Sequence, residues 1–468
     1  MHGRTCVCAR FKKEVGVMFI FWQECKHILR SRFFWVVLVL GVVLSVNTVY
    51  TTSGYFKAVN VTDISISYAF TEKYGTSFTQ KDAEKFVKYY MTETEEGKEL
   101  VQNIQKDSGV KEISPEEIID AYNNESSQIP AELEAVLQKM EEDGRDEDAE
   151  YSNILYYLDI LQRPLELAEN NSLNPESYNM KEKGNKWLEE SGKYFPKWKQ
   201  ELILDSYDRL EERVEEIRKN GENHQMLPII MSSYGNREWF SFQFAGGSAM
   251  AVLWVFAFVL AGIAAARSLG GSLMNHIQGM VYTGKKGRKL IWRKILSVLA
   301  VSGSVYVLLY LMVTVFYVSL FRLDLYWNVP LASMVDYMDS LIPRFPITVG
   351  GYWWFQLGVG MGAVLIMALF FSAAMVLTKN FYAGSAISIA LPLFLIMMIF
   401  MEPNAARNSL CMMSTPIGLY YNAGLFLQPQ MFLFSILPHF EGLSLLIWGS
   451  FAAVLAVLGF VRFRKAAL

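Results

Sequence analysis

Residues whose side chains could carry out chemistry are few in this sequence, and they form no known catalytic motif. The phosphate-binding pattern GxxxxGK[ST] is absent, since the nearest string, residues 283–287 (TGKKG), lacks both the spacing and the following Ser or Thr. HExxH and GxSxG are absent too. The 4 cysteines and 5 histidines do not occur at metal-ligand spacings. We therefore predict no catalytic residue, no metal site and no cofactor site in this chain.

Charged side chains are almost absent from the long apolar segments. An ionisable group is costly in hydrocarbon and usually marks an ion or proton path, so this pattern weighs against an ion-coupled transporter or a proton pump. Just before the first apolar segment, in residues 15–32, apolar residues mix with Glu24, Lys26, Arg30 and Arg32. That composition is typical of an amphipathic helix lying in a membrane interface.

Six apolar segments are long enough to cross the roughly 30 Å of bilayer hydrocarbon. They are approximately residues 33–49, 245–266, 295–320, 353–377, 383–401 and 443–461. The sequence therefore predicts an all-α polytopic membrane protein with six transmembrane helices. A polar insertion, residues 53–242, separates the first transmembrane helix (33–52) from the other five (243–468).

Lysine and arginine near the segment ends indicate the orientation, because these residues are retained on the cytoplasmic side. The N-terminal region 1–32, the loop 267–294, Lys379 and the C-terminal residues 462–465 are basic, and all fall on one side of a six-segment topology. We expect both termini to be cytoplasmic and residues 53–242 to lie outside.

The insertion holds most of the 46 acidic residues and none of the cysteines, so it must fold around a core of its own. Helix-start signals at Ser114 and Pro130, and a helix from about 196 to 220 ending before Gly221, predict a mainly helical domain. Apolar residues on the last helix recur every three or four positions: Ile203, Tyr207, Leu210, Val214 and Ile217. This stripe predicts a core face within the domain, or else a coiled coil between protomers. Residues 61–78, rich in β-branched and aromatic side chains, could hold a short strand or an extended segment.

The order of these segments resembles the membrane subunits of type-2 ABC exporters. In that family an elbow helix precedes the first of six spans, and a cytoplasmic coupling segment follows the second. Residues 24–34 (ECKHILRSRFF) match the elbow, with Glu24, Arg30 and Arg32 as its charged positions. The coupling match is carried by Gln278, Val281, Tyr282, Thr283, Gly284, Arg288 and Lys294. Gln278 and Gly284 replace the usual glutamate and proline of the family.

The resemblance implies a non-catalytic permease in a bacterial cytoplasmic membrane, with residues 1–32 as cytoplasmic N-terminus and elbow and the loop 267–294 gripped by separate ATPase subunits. ATP and Mg would be bound by those subunits, and none by this chain. It further implies pairing with a second permease, identical or homologous, contact with membrane lipids, and an outer re-entrant region at 405–441. The substrate would be amphipathic: a peptide, a lipid or a hydrophobic toxin.

No nucleic-acid partner is indicated. Two other interpretations of the function remain open. The chain could be a membrane sensor or scaffold whose outer domain binds a peptide without transport, or, with less support, a channel.

Overall fold

The structure, a computed structural model, describes residues 19–76, 80–108, 179–190, 192, 196–222, 248–271, 287–334, 343, 345–400, 415–419 and 440–465. Regular structure within these residues is helical. We number the helices as 19–29 (α1), Arg32–Tyr74 (α2), Gln80–Glu93 (α3), Glu95–Ser108 (α4), Met180–Glu190 (α5), Lys197–Asn220 (α6), Ser248–Ala265 (α7), Gly287–Phe321 (α8), Leu323–Tyr326 (α9), Val349–Thr378 (α10), Phe381–Phe400 (α11) and Phe440–Lys465 (α12). A π-helical turn, Ala266–Gly270, continues α7, and a 3-10 turn, Leu331–Met334, follows α9.

Five stretches of helix among the described residues are long and apolar enough to cross a membrane. They are Arg32–Thr51, Val252–Gly270, Leu290–Leu320, Val349–Thr378 and Phe440–Arg462. The prediction of a helical membrane protein is thereby confirmed. At the position of the remaining predicted span lies α11, Phe381–Phe400. Over the side chains that the structure describes, its apolar stretch is Phe381–Phe394, so this crossing stays a prediction.

Helix α10 forms the centre of the bundle, packing against α12, α8, α7 and α11, while α2 packs mainly against α7. Its buried Trp353 is held by two hydrogen bonds: the indole Nε1 donates to Thr314 Oγ1 at 2.7 Å, and the Trp353 carbonyl accepts from the Tyr310 hydroxyl at 2.7 Å. Polar groups at membrane depth need such partners within the protein because hydrocarbon supplies none. These bonds fix α8 against α10.

Helix α2 continues far beyond its apolar stretch. Its 43 residues reach Tyr74, and Gly75, at a φ of 89°, ends it. At about 1.5 Å per residue the helix is roughly 65 Å long, about twice the hydrocarbon thickness. The suggestion of a strand or extended segment at 61–78 was therefore wrong for residues 61–74. Once a helix is formed, adding residues to it is easy, and the β preference of single residues is too weak to end it.

Helices α5 and α6 pack together, and the stripe on α6 faces their shared core. All five stripe residues are buried, with Met180 of α5 and Ala332 of the 3-10 turn completing the cluster. The predicted core face is confirmed within this chain. Helix α6 also ends as expected, with Gly221 in the left-handed conformation at a φ of 63°. The helix starts predicted at Ser114 and Pro130 lie outside the described residues.

Most of the predicted re-entrant region 405–441 also lies outside the described residues. Residues 415–419 form a short turn in which Ile417 and Leu419 are buried in the same core as the membrane helices. The Thr415 hydroxyl accepts a hydrogen bond from Gly418 N at 2.9 Å and so caps this turn.

Candidate functional site

A buried polar cluster joins three separate parts of the chain at one end of the bundle. Lys294 on α8 donates to the Ser268 carbonyl at 2.7 Å, and its Nζ lies 3.7 Å from Glu24 Oε1 on α1. The Ser268 hydroxyl donates to Glu24 Oε2 at 3.2 Å. The side chains of Lys294 and Glu24 are only 14% and 17% exposed. The cluster therefore links the helix before the first span, the end of the second and the start of the third.

Helix α1 is held in place by its apolar side and by its connection to α2. Cys25 and Ile28 are buried in the main core of the bundle. The indole Nε1 of Trp35 donates to the Leu29 carbonyl at 2.6 Å, and the Ser31 hydroxyl accepts from Phe34 N as the N-cap of α2. With its buried side and its C-terminal end held, α1 directs Glu24 at the other two members of the cluster.

The π-helical turn positions Ser268. Such turns insert an extra residue into a helix and often occur at functional sites. Here the turn buries Ser268, Leu269 and Gly270. Gly270 is required for close packing, because a Cβ at this position would lie 2.6 Å from the ring of Phe381. The turn thus brings α7 against the start of α11 while its backbone faces Lys294.

Other helix ends gather at the same end of the bundle. Leu269 and Ile291 share a buried cluster with Met375 near the end of α10. Trp292 on α8 contacts Phe460 near the end of α12, with ring centroids 5.4 Å apart. The segments that the sequence predicts to be basic and cytoplasmic therefore converge on one end.

The Glu24–Lys294 ion pair is better suited to holding the three segments together than to catalysing a reaction. Opposite charges about 4 Å apart attract by about 4 kcal/mol at an effective dielectric constant of 20, and desolvation offsets much of this. Losing one partner would leave the other charge buried and unpaired, so the three segments are expected to stay together or separate as a unit. Burial, followed by the negative charge of Glu24, raises the pKa of the neighbouring Cys25 thiol.

The structure divides the predicted site residues into four groups. Glu24 and Lys294 are brought together in the cluster, whereas Arg30 and Arg32 are exposed. Arg288 lies in the first turn of α8, with its side chain outside the description. The remaining coupling residues lie outside the described residues: Gln278, Val281, Tyr282, Thr283 and Gly284. Sequence reasoning missed Ser268, for which the adjacent Gly270-Gly271 pair was the one available signal.

A second junction, also missed, connects α6 to the loop between α8 and α10. The buried Arg213 donates from Nε to the Pro343 carbonyl at 3.0 Å. Its other nitrogens bind Glu216 at 2.9 Å and Glu222 at 2.5 Å. At the start of the same loop, Arg322 pairs with Glu72 near the end of α2. The C-terminal parts of α2 and α6 are thus both tied to the segment that connects α8 with α10.

In the part of the chain that the structure describes, no group of three or more His, Cys, Asp or Glu residues could hold a metal ion. Comparison with protein-family models, curated proteins and solved structures finds no match to this chain. The function of this chain is therefore inferred from the geometry of the cluster and from the chemistry of the sequence.

Proposed function

We propose that this chain is the transmembrane subunit of an ATP-driven exporter of the type-2 ABC class, powered by separate cytoplasmic ATPase subunits. In this proposal α11 is the fifth of the six spans, both termini are cytoplasmic and residues 53–242 lie outside. The observation that carries the proposal is the Glu24–Ser268–Lys294 cluster. This cluster joins the two ends of the segment in which the sequence predicts the ATPase contact.

The cluster offers a route for motion. In the sequence, residues 272–286 connect the π-helical turn to α8, and the segments on both sides of them, at Ser268 and Lys294, are bonded to Glu24 within the cluster. A displacement of residues 272–286 by an ATPase would therefore move α1, α7 and α8 together. In this role Lys294 transmits the motion, since its ammonium group is turned inward, and the contact with the ATPase falls to 278–284 and Arg288.

The outer junction extends the route. Movement of α8 displaces the loop that follows it, and with this loop α6, through the Arg213 contact with Pro343, and α2, through the Arg322 contact with Glu72. An amphipathic peptide, lipid or hydrophobic toxin could thus be passed to the outer domain as the bundle changes shape. The large apolar faces exposed on α2 and α12 suit lipid contact and pairing with a second permease, identical or homologous.

Co-purification of the tagged full chain with its ATPase tests the proposal. The ATPase is expected to be encoded in a neighbouring reading frame. Association should be lost when Arg288 and Lys294 are both changed to Glu, because the basic contact is reversed and the cluster is broken. Lys379→Glu is the matched control, since it reverses one charge in the turn between α10 and α11 and should leave association intact. A wild-type chain that purifies without any ATPase, or association that survives the double change, would count against the proposal.

A membrane sensor or scaffold remains the second candidate, and the Arg213 junction favours it specifically. Peptide binding to the outer domain could shift α6, and through Pro343 the bundle, without transport. This alternative predicts peptide binding by full-length protein in the absence of nucleotide, together with no associated ATPase.

A further inference from the structure

The outward side of α1 is an exposed surface of unusual composition. At about 100° per residue, Phe19, Trp22, Lys26, Leu29 and Arg30 fall within one arc of roughly 100°, on the opposite side from Glu24 and Ile28. All five residues of this arc are exposed, whereas Ile28 is fully buried. The helix therefore uses one side to hold the bundle together and presents the other to its surroundings.

Within the described residues, the positive charge on this surface is not neutralised. Lys26, Arg30 and Arg32 are exposed, and no carboxylate of the described residues lies within ion-pair distance of them. Glu24 is the acidic residue on α1, but it is turned inward and already compensated by Lys294. The Arg30 amide donates to the Lys26 carbonyl at 2.9 Å, so the helical turn holds these two cations one above the other. Lys26 and Arg30 thus share one small surface, and Arg32, two residues further along the chain, begins α2.

Exposed aromatic rings occur on the same arc of α1 and at the start of α2. Phe19, Trp22 and Phe33 are 62%, 55% and 64% exposed, values that are unfavourable in water for side chains of this size. Trp35 is half exposed, and its indole is tied to the end of α1. Exposed aromatic rings beside lysine and arginine are typical of side chains at the depth of lipid headgroups. Because Arg32 begins a membrane-crossing helix, the cations must lie close to phosphate level.

We propose that Lys26, Arg30 and Arg32 form a binding site for anionic phospholipid headgroups in the leaflet on which α1 lies. The phosphate of a lipid such as phosphatidylglycerol accepts hydrogen bonds from the three cations, and its acyl chains lie against the exposed aromatic rings. A zwitterionic lipid is discriminated against because its own ammonium group repels this surface. The site is independent of the proposed transport function, since it requires only that the chain be a membrane protein.

The test is lipid binding by the purified full-length chain. Wild-type protein in detergent is titrated with phosphatidylglycerol and, separately, with phosphatidylcholine, and bound lipid is quantified by native mass spectrometry. Each cation near a membrane surface contributes about a five-fold preference for anionic lipid, so the triple variant K26Q/R30Q/R32Q should bind phosphatidylglycerol about 100-fold more weakly. Its binding of phosphatidylcholine should be unchanged.

The matched control is K98Q/K181Q/R209Q, which removes the same charge from residues that are paired with carboxylates of their own. This variant should bind both lipids as the wild type does. The charge-conserving variant K26R/R30K/R32K should retain the preference, which separates a headgroup site from a disturbed fold. Equal wild-type affinity for the two lipids, or undiminished phosphatidylglycerol binding by the neutralised variant, would overturn the proposal. If K26Q/R30Q/R32Q lost its association with the ATPase but bound both lipids as the wild type does, this surface would be assigned to a protein partner instead.

Discussion

Replacing Arg213 with Ala should detach α6 from the loop between α8 and α10. The guanidinium is 4% exposed and binds Glu222, which is 11% exposed, as well as Glu216 and the Pro343 carbonyl. Removing one partner of a buried ion pair costs about 3–5 kcal/mol, because the remaining charge stays desolvated. Glu222 lies near the end of α6 and can regain some water, so we expect about 3 kcal/mol, or roughly a hundred-fold more frequent local opening.

Hydrogen–deuterium exchange of the full-length protein measures this opening directly. Amides of Lys197–Asn220 should lose protection in Arg213→Ala, while those of α10 keep it. Arg209→Ala is the control on the same helix, since Arg209 pairs with Asp205 at 3.1 Å with both side chains about half exposed. Exposed pairs of this kind contribute at most about 0.5 kcal/mol. If the two variants exchange equally fast, the buried Arg213 junction does not anchor α6.

Two further predictions concern the bundle and the elbow. Gly360→Ala should destabilise the protein by about 1–3 kcal/mol, because the new Cβ would overlap the hydroxyl of the fully buried Tyr306. Gly358→Ala is the control, because a Cβ at this position has no neighbour within 4 Å, and it should be neutral or stabilising by up to about 1 kcal/mol. If the two variants shifted the thermal unfolding temperature equally, the packing of Gly360 against Tyr306 would be contradicted. In a variant without the other three cysteines, maleimide should label Cys25 slowly at neutral pH and ever faster at alkaline pH, because its buried thiol has a raised pKa and only the thiolate reacts. Glu24→Gln should speed this labelling by removing a negative charge and loosening α1, and an unchanged rate would argue against that contact.

Features with a strong local signal were predictable from the sequence. Long apolar stretches identify membrane helices because length and hydropathy are set by the bilayer. The stripe on α6 was equally clear, since residues such as Tyr207 and Val214 recur at helical spacing, and the αL conformation at Gly221 follows from glycine chemistry.

The contacts that matter most for function could not be predicted in the same way. Arg213 and Pro343 are 130 positions apart, and a charged residue on a polar helix gives no indication that it is buried. Ser268 lies in a π-helical turn, which has no periodic signature. Lys294 was expected to contact a partner because of its place in a basic loop. Its inward orientation depends on Glu24, 270 positions earlier in the chain, and therefore on tertiary packing.

In the proposed mechanism, ATP-driven motion enters through residues 272–286 and reaches α1 through the Glu24–Ser268–Lys294 cluster. The most direct test is the maleimide labelling rate of Cys25 in the purified complex with its ATPase, with and without a non-hydrolysable ATP analogue. We predict that the analogue changes the rate in the wild type and leaves it unchanged in Glu24→Gln, which retains the ATPase but lacks the link. If the analogue left the wild-type rate unchanged, the proposed transmission of motion through the cluster would be contradicted.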